Sequence, residues 1–335
     1  LVYETDNVYQ HYHLIKNNGK ESGFIIKAYL ETLKGKLIIA ESEMIYLNKE
    51  CDKDRKVSLL ISAYNSESYI ARSIDTALAQ SFQDLEIVIV DDGSTDNTGK
   101  IIDWYAERYP NVVGIHQKNG GTPTGRNKGI ACANGDYIGF LDSDDMIRPN
   151  MIMRLYDSIQ KNQCDIAVTS IYLITNEGYK EFIQYPMEKD VAMKIDDFFK
   201  MHFEKGCMFT TIVCNKLYRT ALIKQRLFPV IPIEDDAWTP YILSYADTIC
   251  YLDDRSYEYD KSIRNDSITD KLLVKSNHEM YAIHKNATMF YLEKGNTKKL
   301  ALLKQLSQRQ LTEMRNAYAY EEYGKLWDYI NQTFT

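Results

Sequence analysis

The chain has no excess of positive charge: 40 Lys and Arg stand against 47 Asp and Glu, a formal net charge of −7. A nucleic-acid binder needs a basic face to neutralise phosphates, so the balance argues against that class. Small phosphorylated ligands need only a few local cations and a metal, and they stay open. The six cysteines, at 51, 132, 164, 207, 214 and 250, include no Cys-x-x-Cys pair and no Cys/His cluster at zinc spacing. That usage fits reduced thiols buried as small hydrophobes in a cytosol, so a cytoplasmic protein is expected. No stretch approaches the roughly 18 uninterrupted apolar residues of a membrane-spanning helix. Leu1 opens without a signal-peptide pattern, and the chain is read as a piece of a longer polypeptide. There is no internal repeat and no low-complexity tract. What remains is ordinary globular composition, 44% hydrophobic and 26% charged, in a chain of 335 residues that can hold one large domain or two.

Residues 1–56 carry no chemical motif. Gly23–Leu47 mixes apolar and charged residues at mostly helical spacing, and Cys51–Lys56 is a charged linker, so a helical N-terminal extension is expected. From Val57 the pattern changes. Val57–Ser62, Leu85–Val90, Val112–His116 and Tyr137–Leu141 are apolar runs of strand length. Between them lie helical stretches at Ser68–Gln80, Asn97–Arg108 and Thr124–Ala133, and Asp165–Thr175 reads as one more strand. Such alternation predicts an α/β fold with a mostly parallel sheet flanked by helices. In open sheets of this kind a ligand lies beyond the carboxyl ends of the strands. Residues 271–335 read as a helical C-terminal region, leaving 57–270 as the central domain.

Three polar segments carry chemistry. Asp142-Ser-Asp144-Asp145 follows an apolar strand directly, and carboxylates two apart at a strand end can converge on a hard cation such as Mn²⁺ or Mg²⁺. A solvated loop or helix cap is the bland alternative, weakened because so many carboxyls beside a buried strand are costly without a cation. Val90-Asp-Asp-Gly-Ser-Thr-Asp96 is rich in turn and cap residues, and a carboxylate there can accept from a base or ribose. In Asn119-Gly-Gly-Thr-Pro-Thr-Gly-Arg126-Asn127 the glycines let backbone amides approach an anion, and Arg126 can reach a diphosphate.

Together with Val57-Ser-Leu-Leu-Ile-Ser-Ala-Tyr-Asn65, these blocks resemble family 2 glycosyltransferases of GT-A fold, in order and spacing. A later block, Asn215-Lys-Leu-Tyr-Arg219 through Phe228-Pro to Ile233-Glu-Asp-Asp236, resembles the acceptor-side motif of that family. The resemblance covers roughly residues 57–270 and is of bacterial cell-surface glycan type. It implies an inverting, metal-dependent transfer of a sugar from a nucleoside diphosphate, with UDP the expected nucleotide. By the same resemblance Ser62, Tyr64, Asn65 and Asp92 belong to the nucleotide pocket, Tyr64 packing on the base and Asp92 accepting its N–H. Asp142 belongs beside the ribose and metal, Asp144 on the metal, and Arg126 near the diphosphate. Asp235 is the implied general base, with Asp236 the competing carboxylate. Tyr257–Thr269 resembles the segment that closes over the diphosphate, although Asp260 stands where many relatives carry a cation, and Lys261 or Arg264 is the substitute.

The acceptor implied is a glycan, glycolipid or glycoprotein. Two rivals are weighed. A nucleotidyltransferase carries a glycine- and cation-rich loop after its first strand, and Ala63–Glu67 contains no Gly, Lys or Arg. A non-catalytic nucleotide-sugar-binding scaffold would have lost the carboxylates that are present here. His116 is read as a structural or rim residue, and His11 and His13 lack further ligands. Lys294, Lys298, Lys299, Lys304 and Arg309 are read as a solvated helix face, with peripheral contact to anionic headgroups as the alternative.

Overall fold

The computed structural model describes residues 8–17, 21–32, 35–41, 45–46, 56–182, 190–198, 201, 212–230 and 234–263. The chain divides into two compact units, Leu1–Lys53 and Asp54–Thr335. The expected helical region at 271–335 lies outside the described residues.

The first unit is not helical. Strands β1 (Val8–Asn17), β2 (Glu21–Thr32), β3 (Gly35–Glu41) and β4 (Ile45–Tyr46) form one antiparallel sheet, with β2 pairing with all three others. The correction has a physical reason. Phe24, Ile26, Ala28 and Leu30 recur every second residue, which is strand periodicity. Asn17 pairs with Glu21, so the connection contains Asn18-Gly19, the strongest short hairpin signal between two such runs.

In the second unit four fully parallel strands make the centre. They are β5 (Val57–Ala63), β6 (Leu85–Asp91), β7 (Val112–His116) and β8 (Tyr137–Asp142), in the spatial order β8-β5-β6-β7. Each connection is a helix: α1 (Ile70–Leu78), α2 (Thr98–Arg108) and α3 (Thr122–Cys132). β6 is buried along its whole length, as expected of a strand covered on both faces. Ile70, Ile74 and Ala77 recur at i, i+4 and i+7 on α1 and are fully buried against the sheet.

After the short β9 (Met146–Ile147), Pro149 and Asn150 lead into α4 (Met151–Asn162). The sheet then continues through β10 (Ile166–Thr175), β11 (Gly178–Phe182), β12 (Val191–Lys194) and β13 (Lys216–Arg219). Two helices, α5 (Thr220–Ile223) and α6 (Glu234–Leu243), precede the long β14 (Thr248–Asp260). β13 runs antiparallel to both β8 and β10, so the parallel half joins a mixed half through one reversed strand. Along its main path the order is β12-β14-β10-β13-β8-β5-β6-β7, with β11 paired to β10 and β9 to β14.

Parallel pairing of β10 with β14 brings together cysteines that are 86 residues apart. Cys164 and Cys250 form a disulfide with Cα atoms 6.1 Å apart, whereas Cys132 and Cys214 are free. This departs from the expectation of reduced thiols throughout. Nothing in the spacing announces the pair, because only the tertiary register makes it.

α3 lies unusually close to β5, and glycine is the reason. A Cβ on Gly125 would stand 2.1 Å from Ser62 Oγ, and one on Gly129 3.3 Å from Leu60 Cδ1. Gly125→Ala should therefore overpack this contact and lower stability by about 1–3 kcal/mol. Thermal melting checks it; an unchanged melting temperature would show that Ser62 rotates away without cost.

Candidate active site

Parallel register places the polar ends of three strands along one edge. Ser62 stands opposite Asp142 in β8 and Val90 in β6, while Ala63 stands opposite Asp91. The sequence blocks separated by up to 80 residues thus become neighbours at the carboxyl edge of the sheet, where an α/β fold binds its ligands.

The turn after β5 presents Tyr64 outward, with 46% of its surface exposed. An exposed aromatic face at a cleft is a platform for a base. Asn65 adopts φ 48°, a left-handed conformation that asparagine tolerates. Its side-chain Oδ1 accepts from Thr95 N at 2.8 Å, and its own N–H donates to Ser94 Oγ at 3.0 Å. Asn65 therefore ties the loops after β5 and β6 together.

Asp92 is buried. It accepts from Gln117 Nε2 at 2.6 Å, Gly121 N at 2.7 Å, Gly120 N at 3.1 Å and Thr124 Oγ1 at 3.4 Å. Burial raises its pKa despite these donors. Its carboxylate thus fixes the glycine turn that opens α3. Gly93 completes the arrangement: at φ 73° it carries no Cβ where one would meet Asn119 N at 2.6 Å. His116 bridges Asp91 (2.9 Å) and Asp103 (2.9 Å) at the rim. Burial alone would lower the pKa of His116, but the two carboxylates raise it.

The Asp142–Asp145 turn is held from beneath. Ser73 Oγ lies 2.8 Å from the Ser143 carbonyl and 2.7 Å from that of Asp145, and Ser143 Oγ meets Ser66 Oγ at 3.0 Å. Asp145 is buried and accepts from Tyr257 Oη at 2.6 Å and Asp260 N at 3.0 Å. Burial, reinforced by the charges of Asp142 and Asp144, pushes its carboxyl well above the usual range. Asp145 is therefore a structural post, whereas Asp142 and Asp144 stay partly open.

Arg126 is the centre of the cluster. Only 5% of its side chain is exposed, and it pairs with Asp142 (3.0 Å), Glu234 (2.8 Å) and Asp235. Burial opposes its charge, but these three carboxylates outweigh burial and raise its pKa well above the ordinary value. Arg126 thus joins the end of β8 to the first residues of α6. The next residue secures the same junction, since Asn127 Nδ2 donates to Phe228 O at 2.9 Å and Phe228 N donates to Asn127 Oδ1 at 2.8 Å. Phe228 stacks on Trp238 with centroids 3.9 Å apart, and Phe140 packs edge-on against both. This aromatic cluster anchors α6 beside Arg126 and its carboxylates.

Within α6, Glu234 is buried and Asp235 keeps 30% of its side chain exposed. Burial and the adjacent Asp235 charge raise the Glu234 pKa to about 7. Burial also raises that of Asp235, against the pull of Arg126. Asp236 belongs to α6, but its side chain lies outside the described residues. Lys216 is a further buried cation that residue patterning alone did not single out. Its amine donates to Asn215 Oδ1 at 2.9 Å, and burial lowers its pKa to about 7.

The raised Glu234 pKa carries a sign. The folded protein holds a proton that the unfolded chain releases between the ordinary glutamate value and about 7. This group therefore makes stability fall as pH rises through that window. Glu234→Gln should flatten that part of a melting-temperature profile between about pH 5 and 7. An unchanged slope would show that another group titrates there.

The residues that the sequence assigns to the site, Ser62, Tyr64, Asn65, Asp92, Arg126, Asp142, Asp144 and Asp235, lie on elements that the structure brings together. Sequence reasoning named Asp145, Glu234 and Tyr257 only as members of their motifs and did not single out Arg72; the partners of all four lie on remote elements. In the expected closing segment, Tyr257–Asp260 forms the end of β14, while residues 264–269 lie outside the described residues. Among the described residues no three His, Cys, Asp or Glu side chains enclose a metal. The partly open Asp142 and Asp144 carboxylates are oxygen donors of the kind a hard cation takes together with substrate phosphates and water. No helix of the described residues is long and apolar enough to cross a membrane.

The fold and this edge define the GT-A class of nucleotide-sugar fold. The Staphylococcus aureus TarS fragment 1–349, solved with UDP-GlcNAc, matches over 83% of this chain and 80% of its own, at TM-score 0.65 and 22% identity. The family described as glycosyl transferase family 2 matches residues 58–227, just over half of the 335. The chain belongs to that family. Glycosyltransferase GlyA of Streptococcus pneumoniae is 31% identical over 215 residues, 62% of this chain and 30% of its own length. A poly(ribitol-phosphate) beta-glucosyltransferase of Bacillus spizizenii is 32% identical over 212 residues, 61% of this chain and 32% of its own. The chain thus spans about a third of the length of these two curated relatives.

Proposed function

We propose that this protein transfers a sugar from a nucleoside diphosphate, UDP foremost, to an acceptor hydroxyl with inversion at the anomeric carbon. The observation that carries the reading is the Arg126 cluster, which joins metal-side Asp142 to base-side Glu234 and Asp235 across one cleft. A donor half and an acceptor half then meet at the point where the sugar passes between them.

In this reading Tyr64 packs on the base, and the Ser62–Asp92 corner with its glycine turn frames it. Asp144, with Asp142 beside it, holds Mn²⁺ or Mg²⁺. Such an ion supplies positive charge against the diphosphate as it departs. Arg126 lies near the diphosphate and keeps Asp235 oriented. Asp235 removes the acceptor proton while its oxygen attacks the face opposite the leaving group. One displacement without a covalent intermediate inverts the centre.

The acceptor is proposed as a cell-surface polysaccharide or related glycan, in keeping with the poly(ribitol-phosphate) glucosyltransferase relative. UDP-GlcNAc is the first donor to try, because the TarS fragment was solved with it. The protein is proposed to work in the cytoplasm, with peripheral contact at the inner membrane face.

The test is a panel of nucleotide sugars with and without Mn²⁺, read by thermal shift and slow donor hydrolysis. One UDP-sugar that stabilises the protein only with metal and is slowly hydrolysed supports the reading. No binding under either condition overturns it.

A further inference from the structure

The backbone of the Asp142–Asp145 turn is held by two consecutive residues of α1. Ser73 Oγ lies within hydrogen-bond reach of the carbonyls of Ser143 (2.8 Å) and Asp145 (2.7 Å), and Arg72 Nη2 donates to that of Asp144 at 2.9 Å. Three successive carbonyls are therefore taken by two side chains of one helix. The other branch of the Arg72 fork, Nη1, donates to Asp260 Oδ2 at 2.7 Å. Asp260 is only 2% exposed in its side chain, and its backbone N–H returns to Asp145 Oδ1 at 3.0 Å. Ser262 N adds a hydrogen bond to Asp260 Oδ1 at 2.8 Å. The ring closes through Arg72, Asp260, Asp145 and Asp144.

This arrangement does more than satisfy buried groups. A turn satisfied only by water leaves its carboxylates free to pivot, whereas one whose carbonyls are pinned presents them in a fixed pitch. Ligands held in advance bind a metal more tightly than ligands that must be ordered on binding. A planar guanidinium spans two acceptors at once, which the compact ammonium of lysine does not.

We propose that Arg72 is a positioning residue for the metal half of the site: with Asp260 and Ser73 it fixes the Asp144 peptide, and so the aim of the Asp144 carboxylate. The inference rests on the reading of Asp144 as the metal ligand. It predicts a defect in metal binding without one in metal-free nucleotide binding.

The test uses Arg72→Met, Arg72→Lys and Ser73→Ala in the full chain, with Asp144→Ala as reference and thermal melting to confirm folding. Mn²⁺ affinity is measured in the presence of UDP by the paramagnetic resonance of free Mn²⁺. UDP affinity is measured separately in chelator by calorimetry. Arg72→Met should weaken Mn²⁺ by about tenfold and raise the donor KM in proportion, leaving kcat at saturating metal within about threefold. Arg72→Lys should recover part of the loss, and Ser73→Ala should show a smaller defect of the same kind. Wild-type Mn²⁺ affinity in folded Arg72→Met, while Asp144→Ala loses it, overturns this inference alone. An equal loss of UDP affinity in chelator also overturns it, because Arg72 then touches the diphosphate directly. Unchanged Mn²⁺ affinity in Asp144→Ala overturns the metal assignment and this inference with it.

Discussion

Asp235→Asn is expected to lower kcat about 10³-fold while leaving the donor KM and Mn²⁺ affinity near wild type, since a positioned general base contributes about 10²–10⁴. The geometry favours so clean a result. Asparagine keeps the shape of aspartate and still offers Oδ1 to Arg126, so the cluster that joins β8 to α6 should survive. What disappears is the ability to take a proton. Glu234 does not replace it, being buried and paired with Arg126. The same experiment decides between neighbours, because Asp236→Asn should keep most of its activity where Asp235 is the base. A reversal, with Asp236→Asn dead and Asp235→Asn active, would move the base by one residue. Full activity in both would remove the carboxylate base from the mechanism.

The central half of the fold was legible because its signals are local. The apolar runs at 57, 85, 112 and 137 end in acid or turn residues, and strands β5 to β8 match them within a residue. A strand buried on both faces needs a continuous apolar run, and a ligand-binding edge needs polar residues just beyond it. The N-terminal unit was misread because the helical count was taken over residues whose apolar positions also repeat every second place. There the Asn18-Gly19 pair in the sequence should have decided. The reversed strand β13 was not read as a strand at all, being four residues long and defined by its neighbours β8 and β10.

The site divides along the same line. Asp142, Asp144 and Asp92 could be named from their motifs, but what each carboxylate does depends on contacts no motif contains. Asp92 spends its acceptor capacity on Gln117, Gly120, Gly121 and Thr124. Asp145, identical in type to Asp144 and adjacent to it, is buried under Tyr257 and Asp260, more than 110 residues away in sequence. Arg126 stood out as a cation for a diphosphate, whereas the structure gives its guanidinium three carboxylates to hold. A lone sequence shows which residue types are present at an edge. It does not show which of them are already satisfied.

That distinction sets the expectation for Asp144→Ala. The residue belongs to a turn whose backbone is fixed by Arg72 and Ser73, so truncating its side chain should leave the turn in place. Asp145 keeps its bonds to Tyr257 and Asp260, and Asp142 keeps Arg126, so the folded protein should melt within a few degrees of wild type. Donor use should nevertheless fall, with kcat/KM lower by about 10²–10³, the cost of removing one fixed electrostatic contact to developing charge. With Asp144 as the proposed metal ligand, the Mn²⁺-dependent part of the thermal shift produced by UDP should vanish, while the metal-free part, proposed to rest on Tyr64 and the Ser62–Asp92 corner, should remain. Asp235→Asn should show the opposite pattern, full metal-dependent stabilisation with transfer slowed about 10³-fold. If the two variants instead gave the same pattern, the donor and acceptor halves of the cleft would not be separable, and the Arg126 cluster would have to act as one unit.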